Sequence, residues 1–393
     1  TKVNDNKRAL TIILAGIYIH IPFCKKACFY CDFHFDVSFK HKDAVLSSLQ
    51  KEITSRANFF NPDDVIESIY FGGGTPSVLN KHELSTILNA LHTQYTIAPN
   101  VEITFECNPD DLSSSYLADL KLLGVNRLSI GVQSFNNDHL KWMNRSHDSA
   151  QSLQCVDMAA SVGFTDITID LIYGIPSLGL HEWQETVERA LELPINHLSA
   201  YGLTLEPNTP YQRLVDQKKY HSPQDEKTSD HFEALVAIIN AKGWEHYEVS
   251  NFCKTGNYSR HNTAYWQNKK YLGLGPSAHS FTGTERHWNV SNNAEYNLKI
   301  AAVEQAFESE FLSVEDRINE YVLTGLRTKW GVNLEELNHK YGHPIVSLFA
   351  NELNEWESQG WITISQGQLT LTSSGLLFAD YIASELFKLK DEF

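Results

Sequence analysis

Six apolar runs separated by amphipathic stretches occupy the first 206 residues, and this alternation leaves few folds open. The runs fall at 17–23, 68–71, 101–105, 127–132, 166–172 and 197–203, and each reads as a buried parallel strand. Between them, residues such as Leu84, Ile87, Leu88 and Leu91 recur at helical spacing. The stretch near 116–123 reads as a helix stopped at Gly124, where a left-handed cap fits. Repeated strand–helix units build a parallel sheet. Six units are too few for an eight-unit barrel, so the expected fold is α/β, a partial (β/α)6 barrel open on one side.

Such folds carry their sites at the carboxyl ends of the strands. A three-cysteine loop follows the first run, and Gly72-Gly73-Gly74-Thr75-Pro76 follows the second. Glu106 ends the third, Gln133 ends the fourth, and Asp170 sits in the fifth. These residues are distant in sequence and converge on one rim.

The loop reads Cys24-Lys25-Lys26-Ala27-Cys28-Phe29-Tyr30-Cys31. Structural zinc takes four ligands and usually a second knuckle, which this sequence lacks, although His20 and His34 flank the loop. Three thiolates suit three irons of a [4Fe–4S] cube, leaving the fourth iron for a small molecule. Cys107, Cys155 and Cys253 are scattered and read as small buried hydrophobes.

Beyond the cysteines, the signals are individually weaker. The glycine run suits either a tight turn or close approach of backbone to a ligand. Asp170 lies inside an apolar stretch, where a carboxylate is costly unless paired or ligand-bound. Arg145 reads as a solvated helix residue or as a partner for a ligand carboxylate. His261-Asn262-Thr263-Ala264-Tyr265-Trp266, with the glycine-rich stretch ending at His279, is either a packed loop or a site for a large planar ligand with an imidazole for iron.

The formal net charge is −16, from 48 acidic and 32 basic residues, which argues against a nucleic-acid backbone as partner. No apolar run reaches the roughly 18 residues of a membrane helix. Lys7 and Arg8 precede an apolar stretch with the outline of a signal peptide, but it runs through Ile21 into the cysteines, so a first strand in a reducing, cytoplasmic setting is expected.

The expected domains are 1–206, the barrel; 207–310, a linker and extension with an irregular segment over 245–293; and 311–393, a small α+β, winged-helix-like module. The last contains a tight turn at Gln366-Gly367. Residues 315–393 hold 12 acidic and 6 basic residues, which favours packing or a lid role over DNA binding.

Taken together, Tyr18-Ile-His-Ile-Pro-Phe-Cys24, Tyr70-Phe-Gly-Gly-Gly-Thr-Pro76, Gly131-Val-Gln-Ser-Phe135, Asp170-Leu-Ile-Tyr-Gly-Ile-Pro176 and the 261–266 stretch resemble the HemW branch of the HemN-like radical SAM family. The resemblance covers nearly the whole chain. It implies a [4Fe–4S] cluster on Cys24, Cys28 and Cys31, with S-adenosylmethionine (SAM) on the fourth iron, cleaved by an electron from the cluster to give a 5′-deoxyadenosyl radical. It implies SAM contacts at Tyr18, Tyr30, Gly73, Gly74, Thr75, Glu106, Gln133, Arg145 and Asp170. It further implies haem as cargo and apo-haemoproteins as recipients; in the aromatic-rich segment His261 is the candidate iron ligand, against His279 or a purely structural histidine. The sister enzyme, oxygen-independent coproporphyrinogen III oxidase, carries a further cysteine where this chain has Phe33, and a longer arm before its first strand. Both departures point away from the decarboxylase.

Overall fold

The protein is described from a computed structural model over residues 14–387. Part of the basic and apolar stretch weighed against a signal peptide, including Lys7 and Arg8, lies outside the described residues.

The six expected strands are β1 (Leu14–Ile21), β2 (Val65–Gly73), β3 (Ile97–Cys107), β4 (Arg127–Gln133), β5 (Asp166–Tyr173) and β6 (His197–Gly202). They are parallel and adjacent in chain order. Helices cross between them on one face. One of these, Lys81–Gln94, opens with a capping box between Asn80 and Glu83 and buries Leu84, Ile87, Leu88 and Leu91. Another, Ser114–Leu122, ends before Gly124, whose φ is +92°.

The strands are not apolar on both faces. Ile17, Ile19, Ile69, Phe71, Ile103, Phe105, Leu128, Ile130, Ile167 and Ile169 are buried in the core. The residues alternating with them, including Tyr70, Thr104, Glu106, Ser129, Asp170 and Ser199, line one polar cavity on the opposite face. The lumen of the half-barrel is therefore a hydrophilic site rather than a second core. The sequence hides this because its inward residues are mostly tyrosine, serine and threonine, which interrupt an apolar run only weakly.

Residues 207–310 do more than link. The segment expected to be irregular, 245–293, contains β7 (Glu245–Glu248), β8 (Asn251–Cys253), β9 (Tyr271–Leu274), β10 (His279–Phe281) and β11 (Glu285–Asn289), and β12 (Phe307–Phe311) follows. These strands extend both edges of the half-barrel into one twelve-stranded sheet, ordered β12-β11-β10-β9-β1-β2-β3-β4-β5-β6-β8-β7. Strands of three to five residues are too short for alternation to stand out from a loop.

The remaining residues form a module with its own core around Ile318, Val322, Leu326, Leu337, Leu353 and Trp356. Its sheet joins β13 (Val332–Asn333), β14 (Ile362–Ser365) and β15 (Gln368–Leu371) in the order β13-β15-β14. Gln366 and Gly367, at φ +51° and +76°, make the hairpin turn. The module is stitched to β7 and the residue after it by main chain, Lys329 N–H to the Tyr247 carbonyl (3.0 Å) and Val249 N–H to the Arg327 carbonyl (3.1 Å).

Candidate active site at the barrel mouth

The loop after β1 is closed at its base by main-chain bonds from Cys24 N–H to the Asp36 carbonyl (3.0 Å) and from Asp36 N–H to the Pro22 carbonyl (2.9 Å). Its middle is latched to the segment after β4. Asn144 Nδ2 donates to the Ala27 carbonyl (2.7 Å) and Phe29 N–H to the Met143 carbonyl (3.1 Å). Arg145 sits behind the loop. It donates through Nη1 to Cys28 Sγ (3.3 Å) and the Tyr30 hydroxyl (3.4 Å), and through Nη2 to Asn108 Oδ1 (2.7 Å) and the Gly131 carbonyl (2.8 Å). Its Nε is buried without a partner.

Cys24, Cys28 and Cys31 are unpaired and partly exposed, whereas Cys107, Cys155 and Cys253 are unpaired and buried. Burial pushes the Cys24 thiol up to about 11, with the Thr75 hydroxyl opposing the shift from 3.3 Å. Burial pushes Cys31 up to about 12. Both stay protonated until a metal displaces the proton.

The donor set fits an iron–sulfur cube better than zinc. His20 spends both ring nitrogens, Nε2 donating to the His34 carbonyl (2.9 Å) and Nδ1 meeting the Tyr18 hydroxyl (3.2 Å). His34 gives Nε2 to Asn293 Oδ1 (2.9 Å). Among the described residues no three ligating side chains converge as a single ion requires, whereas cube thiolates each take a separate iron.

The glycine run is imposed by close packing. Gly73 has φ +105°, and a Cβ there would come within 2.6 Å of the His20 ring. A Cβ on Gly74 would meet the Ile21 carbonyl and the Phe23 amide at 2.8 Å. Beside it, Glu106 accepts from the Tyr70 hydroxyl (2.7 Å) and from the Gly73 amide. Burial drives the Glu106 carboxyl up to about 8, and the Asp170 charge adds to this against the pull of its donors. Asp170 accepts from Ser129 Oγ (3.3 Å), and burial raises it to about 6. Both carboxyls face the lumenal cavity. Gln133 ends β4 in the left-handed region, at φ +65°. Tyr18 stacks on Tyr70 at 6.1 Å. The structure thus brings the rim residues and the cysteine loop together around one mouth. A cation held there would meet two carboxyls that burial has left short of charge.

His261 differs from its expected role. It is 2% exposed. Nδ1 is hydrogen-bonded to Ser68 Oγ (2.8 Å) and Nε2 to the Tyr265 hydroxyl (3.0 Å), and the ring stacks on Tyr70 at 5.1 Å. Burial lowers its imidazole to about 3. Glu102 takes the amides of Arg260 (3.1 Å) and His261 (3.0 Å) at the start of the helix Arg260–Trp266. That helix packs on β1 and β2 beneath the Tyr18–Tyr70 pair, and Asn262 lines the lumenal cavity from below. The 261–266 stretch is the floor of the barrel, and His261 has no free nitrogen for haem iron.

Tyr70, Ser129, Ser199, Asn108 and Asn144 were not expected from the sequence. For the first three, the signal was a polar residue at every second position of each strand.

The Radical SAM superfamily model matches residues 18–190, and the HemN C-terminal domain model matches residues 312–378. "Heme chaperone HemW" of Bacillus subtilis is 34% identical over 375 residues, covering 94% of this chain and 98% of that protein. The chain belongs to the HemW family. The HemW-named protein of Lactococcus lactis is 35% identical over 91% of this chain and 93% of its own. The solved structure of coproporphyrinogen III oxidase (HemN) from Escherichia coli superposes with TM-score 0.83 and 24% identity, covering 96% of this chain and 91% of that one. It shows that this chain and that HemN share the fold over nearly their whole lengths. Membership of the radical SAM superfamily implies a [4Fe–4S] cluster and SAM.

Proposed function

We propose that this protein is a cytoplasmic haem chaperone that holds a [4Fe–4S] cluster on Cys24, Cys28 and Cys31, binds SAM at the rim, and delivers haem to apo-haemoproteins. The observation that carries the reading is the pairing of near full-length similarity to proteins named heme chaperone with a complete three-thiol loop beside an electron-rich rim. When bound, the cluster and SAM together supply one-electron chemistry at the SAM sulfonium.

The chain's own residues supply the setting. Arg145 and Asn144 fix the cysteine loop against the barrel, and Arg145 offsets thiolate charge at Cys28. Glu106 and Asp170 offer carboxylates to the ammonium and sulfonium charges of SAM. Gly73, Gly74 and Thr75 present backbone and hydroxyl groups to its amino acid end. Tyr18, Tyr30 and Gln133 border the remaining space. The lumenal cavity that Glu106 and Asp170 line is about 40 Å³, room for a few waters.

Phe33, where the sister enzyme has a cysteine, is 66% exposed and adds an apolar side chain beside the loop. The test is an anaerobic assay of the reconstituted protein with reductant, SAM and coproporphyrinogen III, beside a titration with haem. The expected result is a shifted Soret band and no vinyl product. Sustained decarboxylation without haem binding would replace this reading with coproporphyrinogen III oxidase.

A further inference from the structure

The haem reading leaves open where the iron is held, and the geometry excludes the residue the sequence favoured. Resting on that reading, we propose that His279 is the protein ligand to haem iron, on a shelf where β9–β11 meet the barrel mouth.

Of His20, His34, His261 and His279, three have hydrogen-bond partners. His20 and His261 use both ring nitrogens, and His34 commits Nε2 to Asn293. His279 is exposed, at the start of β10, and its imidazole has no hydrogen bond or ion pair among the described residues. Burial and then the Arg286 charge lower its proton affinity, so the ring is neutral at pH 7, the form that ligates a metal.

Its position follows from the strand register. Gly273 of β9 lies beside Tyr18 of β1, so the side chain it lacks would point to the lumenal side. A Cβ there would strike the His279 main chain. The His279 backbone therefore crosses the lumenal side of β9, next to the strand that carries Tyr18 and His20. The Gly273 amide fixes this crossing by donating to Ser280 Oγ (3.0 Å).

The surroundings suit a flat, apolar, iron-bearing ligand. Trp288 of β11 is directly opposite His279 and half-buried, so indole and imidazole stand as cross-strand neighbours on one face of the sheet. The His34–Asn293 bond ties the cysteine loop, in which exposed Phe33 precedes His34, to the segment just after β11. Imidazole, indole and phenyl are the contacts by which a porphyrin plane and its metal are held. The shelf is open, as release to a recipient requires.

The test is visible and EPR spectroscopy of the full-length protein titrated with ferric haem, comparing wild type with His279→Ala and His279→Met. The proposal expects a nitrogen-ligand signature in wild type, its loss in His279→Ala with partial return on adding free imidazole, and a changed ligand field in His279→Met. Phe33→Ser is expected to weaken haem binding without altering the ligand signature. Iron–sulfur absorbance after reconstitution reports folding. If the alanine variant does not fold, the methionine variant, which keeps side-chain bulk and a ligating sulfur, decides. Wild-type spectra in a folded His279 variant would overturn the assignment and leave the haem reading standing. Absence of haem binding by wild type would overturn both.

Discussion

Glu106 and Asp170 are the residues whose environments say most about the ligand. Each is an acid partly buried on a polar rim, raised to about 8 and about 6; each accepts from hydroxyl donors, and for Asp170 the more distant Arg145 and Arg127 charges oppose burial without cancelling it. A cationic ligand would reverse that shift. Glu106→Gln and Asp170→Asn are therefore expected to weaken SAM binding about tenfold or more, since a hydrogen bond to a charged group is worth about 1.5–3 kcal/mol. The measurement is SAM titration of the cluster-loaded protein. Unchanged affinity in both variants would place SAM elsewhere. The same carboxyl predicts a pH dependence without SAM. An acid whose folded pKa is raised contributes most below its unfolded value, and that contribution is lost as pH climbs through the folded value. Stability should fall between about pH 4.5 and about pH 8, and Glu106→Gln should flatten the fall. Thermal unfolding across that range reads it, and identical slopes would show that Glu106 ionises normally. Both residues were legible in the sequence because a carboxylate at a strand's end demands a reason. Tyr70 was not, since a tyrosine in a strand is unremarkable until its hydroxyl is seen on Glu106.

Among the elements, the cysteine loop and the floor helix divide the work of the mouth. The loop's spacing was fully legible, because three thiols within eight residues restrict the metal chemistry before any fold is known. Ala replacement of Cys24, Cys28 or Cys31 should abolish the broad absorbance near ~400 nm of the reconstituted protein, each thiolate serving one iron. The same change at Cys107, Cys155 or Cys253 should leave it, and loss of the band from one of these alone would move the cluster. The floor helix was legible only as something unusual. Its histidine, tyrosine and tryptophan advertise a ligand as much as a plug, and only the Ser68, Glu102 and Tyr265 contacts separate the two. His261→Ala removes two buried hydrogen bonds and a stacked ring, so it should cost about 2–4 kcal/mol of stability. Chemical denaturation checks this. A neutral effect would mean that the imidazole is not holding the floor.

At the scale of the whole molecule, the six parallel strands and the C-terminal hairpin could be read from pattern, and the flanking strands could not. β7–β12 are short, three to five residues each. Their pairing is decided by the edges of a sheet already formed. The consequence bears on the proposal: the extension sets His279 and its cross-strand neighbour Trp288 on strands that continue the sheet from β1, so a cargo on the proposed shelf would lie next to the proposed SAM rim. The C-terminal module is fastened to the opposite edge through β7.

Delivery, rather than binding alone, is the central claim, and transfer kinetics test it most directly. Haem-loaded protein is mixed anaerobically with increasing apo-haemoprotein, and the acceptor's Soret band is followed in time. Hand-over within a complex predicts a rate that rises with acceptor concentration and exceeds that of spontaneous haem loss. A rate independent of acceptor, equal to spontaneous dissociation, would contradict it.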